Sequence, residues 1–478
     1  MRNIALIAIL LCSFQGIQSI AAEESAREQP SAEPSERQFQ AWLAAFNEGN
    51  LAELQEFARK NKADQTVHVA DDSRFREMTG GFEFKKTEEL TPTKYVALLK
   101  EKDSDTFARI TLEVDATQQH KITNFQLRGM DAPAEFRIHP MTEGDAIAAV
   151  KRVAEERTAS DQFAGAIAIS KDGKVIFKEG YGLADRSKKI PNAIDTQFRM
   201  GSMNKMFTAT AILQLDQAGK LKLTDSMGSY LKDYPNKAIA SNVTIHQLLT
   251  HTGGTGDIFG PEFDKNRLAL KTLQDYVSLY GRRGPDFEPG SKWDYSNYGF
   301  VLLGVIIEKV SGQDYYEYVR EHIFKPADMS STDSLPEDQE LPKRSVGYMR
   351  VETNERWAPN SDTLPYRGTS AGGGYTTVED LLKFAKALAT SKLLDSKHVE
   401  LLTTGHTDTG MGSKYAYGFM DNRGNTPAWF GHGGGAPGMN GWLRIFPKSG
   451  YAVAVLSNFD PPAADQLIDY VSNRLPEN

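Results

Sequence analysis

The stretch Phe198-Arg199-Met200-Gly201-Ser202-Met203-Asn204-Lys205-Met206-Phe207 decides the reading of this chain. It sets a serine and a lysine three residues apart, Ser202 and Lys205, at the head of an apolar run that continues through Thr210 and Leu213. Residues at that spacing share a helix face, so the amine can reach the hydroxyl. A serine at a helix start also sits where unpaired backbone N–H groups and the positive end of the helix dipole converge. Burial there lowers the lysine pKa and lets it accept the serine proton, which a hydroxyl nucleophile requires. The motif by itself decides nothing, because Ser229-Tyr230-Leu231-Lys232 repeats it. That copy reads as a capped turn with a solvated lysine.

Two further segments supply partners for Ser202. Tyr295-Ser296-Asn297 precedes an apolar helix expected over Tyr298 to Val310. A tyrosinate beside a lysine ammonium can act as general base and then return the proton to the leaving group, and the Asn297 amide can hold a substrate carbonyl. A decoy, Tyr234-Pro235-Asn236, reads as a turn. Gly431-His432-Gly433-Gly434-Gly435 directly precedes a glycine-rich turn and the C-terminal strands. Glycine lets backbone approach a ligand closely, and the Gly435 N–H can pair with the Ser202 N–H as an oxyanion hole. His432 and Gly434 then line the substrate cleft.

In this order, Ser202/Lys205, Tyr295/Asn297 and His432-Gly433-Gly434 resemble the motifs of the serine β-lactamase and penicillin-binding-protein superfamily. The similar branch is that of class C β-lactamases, D,D-peptidases, D-aminopeptidases and related esterases. Flanking stretches add to it: Leu248-Leu249-Thr250-His251-Thr252-Gly253-Gly254, Ile323-Phe324-Lys325-Pro326 and Ser370-Ala371-Gly372-Gly373-Gly374-Tyr375. The resemblance implies an acyl-enzyme hydrolase with Ser202 as nucleophile, Lys205 as its activator and Tyr295 as general base. In β-lactamases the third motif usually begins with lysine, a fixed positive charge for the β-lactam carboxylate. Histidine is mostly neutral near pH 7, so His432 favours substrates without an obligatory carboxylate.

Composition agrees with a globular exported enzyme. The 478 residues suggest two or three domains, and 40% hydrophobic with 25% charged residues fits a soluble fold. A net charge of −8 argues against nucleic-acid partners. The N-terminus carries Arg2, a short apolar run from Ile4 to Cys12, and small residues at Ser19, Ala21 and Ala22. This reads as a signal peptide over 1–22 and a secreted, periplasmic protein with no integral membrane segment after cleavage. Cys12 is the only cysteine, so the mature chain is expected to have no thiol nucleophile, disulfide or cysteine metal site.

The polar Pro/Ser/Glu-rich stretch 23–36 reads as a disordered linker. A small N-terminal α+β domain is expected over 37–138, opening with Phe39, Trp42, Leu43 and Phe46 on one helical face. Strands are expected at Tyr95–Leu99, Phe107–Val114 and Ile122–Leu127. The Trp-Leu-Ala-Ala-Phe-Asn helix and the order of elements resemble the cystatin-like fold of the SnoaL type. The catalytic domain is expected over 142–478 as α+β: strands at both ends with helices between imply one mixed antiparallel sheet closed by distant segments.

A different nucleophile is written into Gly368-Thr369-Ser370-Ala371-Gly372, the elbow pattern of α/β-hydrolases. That elbow needs a strand before it and a helix immediately after. Here Gly373-Gly374-Tyr375 intervenes, so the segment reads as a glycine-rich loop beside the site. His246 and His251 are five apart with no acidic cluster, so no metal site is read, and no cofactor is expected. The expected function is a serine hydrolase cleaving a small ester or peptide, of carboxylesterase type. The alternatives are a D-amino-acid-specific peptidase, a weak β-lactamase, or a catalytically silent binding protein.

Overall fold

The computed structural model describes residues 32–70, 73–117, 119–130, 132–351 and 357–477. The signal-peptide reading and most of the linker lie outside them. The chain divides into two compact units. One holds the residues up to Ser73 with Phe84–Leu99 and Arg109–Arg128; the other holds Arg74–Glu83, Lys100–Ala108 and Gly129 onward.

In the first unit, a helix spans Pro34–Glu48 and a second spans Leu51–Asn61. Pro34 stands in the first turn, where its missing N–H costs nothing. Residues 34–36 therefore belong to the helix and not to the linker. Phe39, Trp42 and Phe46 form its buried stripe, and Phe39 stacks on Tyr95 at 4.5 Å. The strands Phe82–Thr91, Lys94–Glu101, Phe107–Val114 and Ile122–Met130 lie in that order in one sheet. The first of them lies outside the strands expected from the sequence. Its sequence, Phe-Glu-Phe-Lys-Lys-Thr-Glu-Glu-Leu-Thr, lacks apolar alternation because it is an edge strand with little buried surface.

The second unit is built on an eight-stranded antiparallel sheet. Its order is Thr407–Asp408, Lys414–Tyr415, Met420–Asp421, Phe430–Ala436, Met439–Phe446, Tyr451–Ser457, Gly165–Lys171, Lys174–Tyr181. Chain ends meet where Ala168 pairs with Ala454, as expected of a sheet closed by distant segments. The period-two alternation sorts residues onto two faces. Ile167, Ile169, Val453 and Val455 pack with the helices Glu143–Ala159 and Ala463–Ser472. Ala166, Ala168, Ala454 and Leu456 join the core that holds the Asn204–Gln217 and Val378–Ala389 helices.

The glycine-rich run corrects the sequence reading. The residues Phe430-Gly431-His432-Gly433-Gly434-Gly435-Ala436 are themselves a strand, paired His432 to Leu443 and Gly434 to Gly441. At Val378–Ala389, Thr377 caps the helix by accepting from the Asp380 N–H, but the Asp380 carboxylate does not reciprocate. It accepts from Ser331 N and Thr332 Oγ1 at 2.8 Å each and ties a distant loop to the helix start. Among the described residues no helix is long and apolar enough to cross a membrane.

Candidate active site

Ser202 lies in a single 3-10 turn, Gly201–Met203, and the α-helix proper runs Asn204–Gln217. Gly201 holds φ at +53°, a left-handed conformation that glycine adopts without strain. The turn presses against the Phe430–Ala436 strand. A Cβ on Gly434 would stand 2.0 Å from the Met200 carbonyl oxygen and 3.0 Å from the Ser202 nitrogen; one on Gly201 would stand 3.2 Å from the Gly435 nitrogen. Only side-chain-free backbone lets this strand lie against the serine turn, and so the Ser202 and Gly435 amides come to one place.

Lys205 is fully buried. Its ammonium donates to Asn297 Oδ1 at 2.7 Å, to the Ala371 carbonyl, and to Ser202 Oγ at 3.3 Å. It also stands over the Tyr295 ring, 4.7 Å from the centroid. Burial pushes it down to about 7, opposed by the negative charge of Asp257. Burial pushes the Tyr295 hydroxyl well above the ordinary tyrosine range, opposed by the neighbouring Ser202. Of the two groups beside the serine, the lysine is thus the one that is partly neutral near pH 7. Asn297 opens the Asn297–Ser311 helix, which Ser296 caps by accepting from Gly299 N at 2.9 Å.

His432 is buried, and both ring nitrogens are engaged within the protein. Nδ1 donates to the Gly433 carbonyl at 2.5 Å, and Nε2 accepts from the Tyr415 hydroxyl at 3.0 Å. Burial and the Lys205 charge push it down to about 3. It is a neutral member of the wall and supplies no positive charge to a ligand. The sequence-expected residues Ser202, Lys205, Tyr295, Asn297, His432, Gly434 and Gly435 therefore converge, although His432 faces inward on Tyr415.

Sequence reasoning missed several members. Tyr415 comes from a two-residue strand with no motif around it. Asp257 accepts from the Asn297 backbone N–H at 3.1 Å and from Asn297 Nδ2 at 3.2 Å. Trp293, three residues upstream of the noticed Ser296, packs edge-on to His251 at 6.3 Å. His251 braces its loop, accepting from Ser296 N at 3.0 Å through Nδ1, and its ring lies 4.2 Å from that of Tyr295.

The competing motifs resolve into structure. Ser370 is fully buried and donates to the Phe300 carbonyl at 2.9 Å, so it braces the Asn297–Ser311 helix. Ser229 and Lys232 are exposed. Asn236 caps a short helix by accepting from Ile239 N at 3.1 Å, and the Tyr234 hydroxyl meets that of Tyr298 in the core. His246 bonds the Tyr417 hydroxyl at 2.7 Å. Among the described residues no cluster of three or more His, Cys, Asp or Glu is placed to hold a metal.

Residues 150–475 match the family model described as Beta-lactamase. The chain belongs to the beta-lactamase family. It is similar to the Bacillus subtilis protein named "Putative penicillin-binding protein PbpX", 34% identical over 295 residues that cover 62% of this chain and 70% of that protein. The crystal structure of a penicillin-binding protein from Bacillus halodurans aligns with a TM-score of 0.60 at 32% identity, over 66% of this chain and 97% of that one. A D-stereospecific amidohydrolase from Streptomyces aligns with a TM-score of 0.58 at 27% identity, over 68% and 98%. The beta-lactamase-family chain described here is accordingly a serine hydrolase of the penicillin-binding-protein type, with the mixed α+β fold of that group.

Proposed function

We propose that this beta-lactamase-family protein is an exported carboxylesterase-type hydrolase that works through an acyl-enzyme on Ser202. Neutral Lys205, in place of the Tyr295 that the resemblance implies as general base, takes the Ser202 proton as Oγ attacks the substrate carbonyl carbon. The oxyanion settles between the Ser202 and Gly435 N–H groups, where fixed donors stabilise the developing charge. The Tyr295 hydroxyl gives its proton to the leaving group, and the tyrosinate regains one from the Lys205 ammonium. Water then enters as the second nucleophile by the same route, and the acid is released.

The observation that carries the substrate choice is the neutral, inward-facing His432. A fixed cation at that place would recruit a substrate carboxylate; without it, esters and amides that lack one are the better fit. The likeness to the Streptomyces D-stereospecific amidohydrolase supports a second reading, hydrolysis of D-amino-acid amides, which likewise carry no carboxylate. The test is kcat/KM on a short-chain p-nitrophenyl ester and on a D-amino-acid amide, each beside Ser202→Ala. Ester turnover that vanishes in the variant supports the esterase; amide turnover alone supports the second reading; turnover that survives in the variant removes Ser202 from the chemistry.

A further inference from the structure

We propose that Asp257 is a positioning residue for this hydrolase: its carboxylate holds the Asn297 amide so that the amide oxygen faces Lys205, and it is the anion set opposite that lysine. The proposal rests on the Ser202 reading above and deepens it.

An amide side chain has two ends of nearly equal shape, one accepting and one donating. At Asn297 the choice matters, because an NH2 turned toward the Lys205 ammonium would set donor against donor. Asp257 removes the choice. Its Oδ1 accepts from Asn297 N at 3.1 Å and from Ile258 N at 2.7 Å, while its Oδ2 accepts from Asn297 Nδ2 at 3.2 Å. The remaining end, Asn297 Oδ1, then accepts from Lys205 Nζ at 2.7 Å. The Asp257 backbone is itself fixed, since its carbonyl accepts from Arg283 Nη1 at 2.6 Å. Three N–H groups converge on one side chain. An asparagine there would offer one oxygen and would set its own NH2 against one of the three.

The groups facing Lys205 give Asp257 its electrostatic weight. Tyr295 lies under the ammonium and is a phenol near neutral pH. His251 and His432 are held uncharged by burial and by the lysine itself. Ser202 and the Ala371 carbonyl complete the surroundings. Asp257, reaching Lys205 through Asn297, is the negative charge that opposes desolvation of the ammonium.

The test uses the full chain and a p-nitrophenyl ester. In Asp257→Asn, kcat falls about 10- to 100-fold through a misplaced Asn297 and Lys205. The limb of the kcat/KM pH profile that belongs to Lys205 moves to lower pH by about one unit, because the ammonium loses its opposing charge. In an Asn297→Ala background the same substitution adds little to the loss in kcat, since the effect passes through Asn297. An unmoved limb with a loss in kcat that is additive across both backgrounds overturns the proposal, as does wild-type kinetics. If Asp257→Asn does not fold by circular dichroism, Asp257→Glu serves: the charge stays and the limb holds while kcat falls, whereas a shifted limb with intact kcat overturns the assignment. A Ser202→Ala protein that still turns over defeats the underlying serine reading; a silent Ser202→Ala beside an unaffected Asp257→Asn defeats this proposal alone.

Discussion

The Lys205 ammonium sits closer to Asn297 Oδ1, at 2.7 Å, than to Ser202 Oγ, at 3.3 Å. The second motif and the Ala371 carbonyl thus hold the ammonium more closely than the nucleophile does, and the nucleophile is reached from there. The lysine is held between helix and helix, so its position depends on both segments at once.

Lys205→Ala is expected to lower kcat/KM by about 10²- to 10⁴-fold, the usual contribution of a positioned proton acceptor. Circular dichroism reports whether the fold persists, and a p-nitrophenyl ester assay reads the rate. A loss under tenfold would take the proton-accepting role away from Lys205.

The rate should follow the lysine charge. With Lys205 pushed down to about 7 by burial, the neutral amine accumulates as pH rises through that value, so kcat/KM climbs there and levels above it. His432, pushed down to about 3, contributes no limb near neutrality. A profile flat across about pH 6 to 8 contradicts this assignment.

Acid should weaken the fold partly through His432. Its folded pKa lies below the unfolded value near 6.5. Between those values the unfolded chain binds the extra proton, so stability falls as pH drops from about 6.5 toward 3. Melting temperatures measured across that window should fall less steeply in His432→Gln than in the wild type.

Tyr415→Phe removes the donor to His432 Nε2 and leaves a buried acceptor without a partner. About 1–3 kcal/mol of stability is the expected cost, read by urea denaturation. A smaller drop in kcat should accompany it, because the ring remains as part of the wall.

Gly434→Ala should abolish turnover, since the added carbon would lie 2.0 Å from the Met200 carbonyl oxygen and must push the strand off the serine turn. Labelling of Ser202 by a fluorophosphonate probe reads the same loss. Ser370→Ala should keep turnover within a few-fold and lose only the hydrogen bond to Phe300, about 1 kcal/mol.

Much of the catalytic unit was legible because its chemistry is local. The hairpin from Gly165 to Tyr181 follows from two β-branched-rich runs on either side of the turn residues Asp172 and Gly173, both at positive φ. The Thr244 and Ser296 caps mark helix starts where a hydroxyl precedes an apolar run. The Phe82–Thr91 strand was not legible, because an exposed edge strand needs no apolar alternation.

The sequence by itself determined which residues gather at the candidate site: Ser202 and Lys205 one turn apart, Tyr295 and Asn297 before a helix, His432 among glycines. Those are spacings along the chain, and local geometry enforces them. Only the tertiary structure decided that Phe430–Ala436 is a strand, that His432 turns inward to Tyr415, and that Asp257 stands behind Asn297. Each of these depends on a partner outside the local segment. A glycine-rich run has no strand pattern of its own, and it becomes a strand because Met439–Phe446 offers it a ladder on one side while the serine turn leaves no room for side chains on the other.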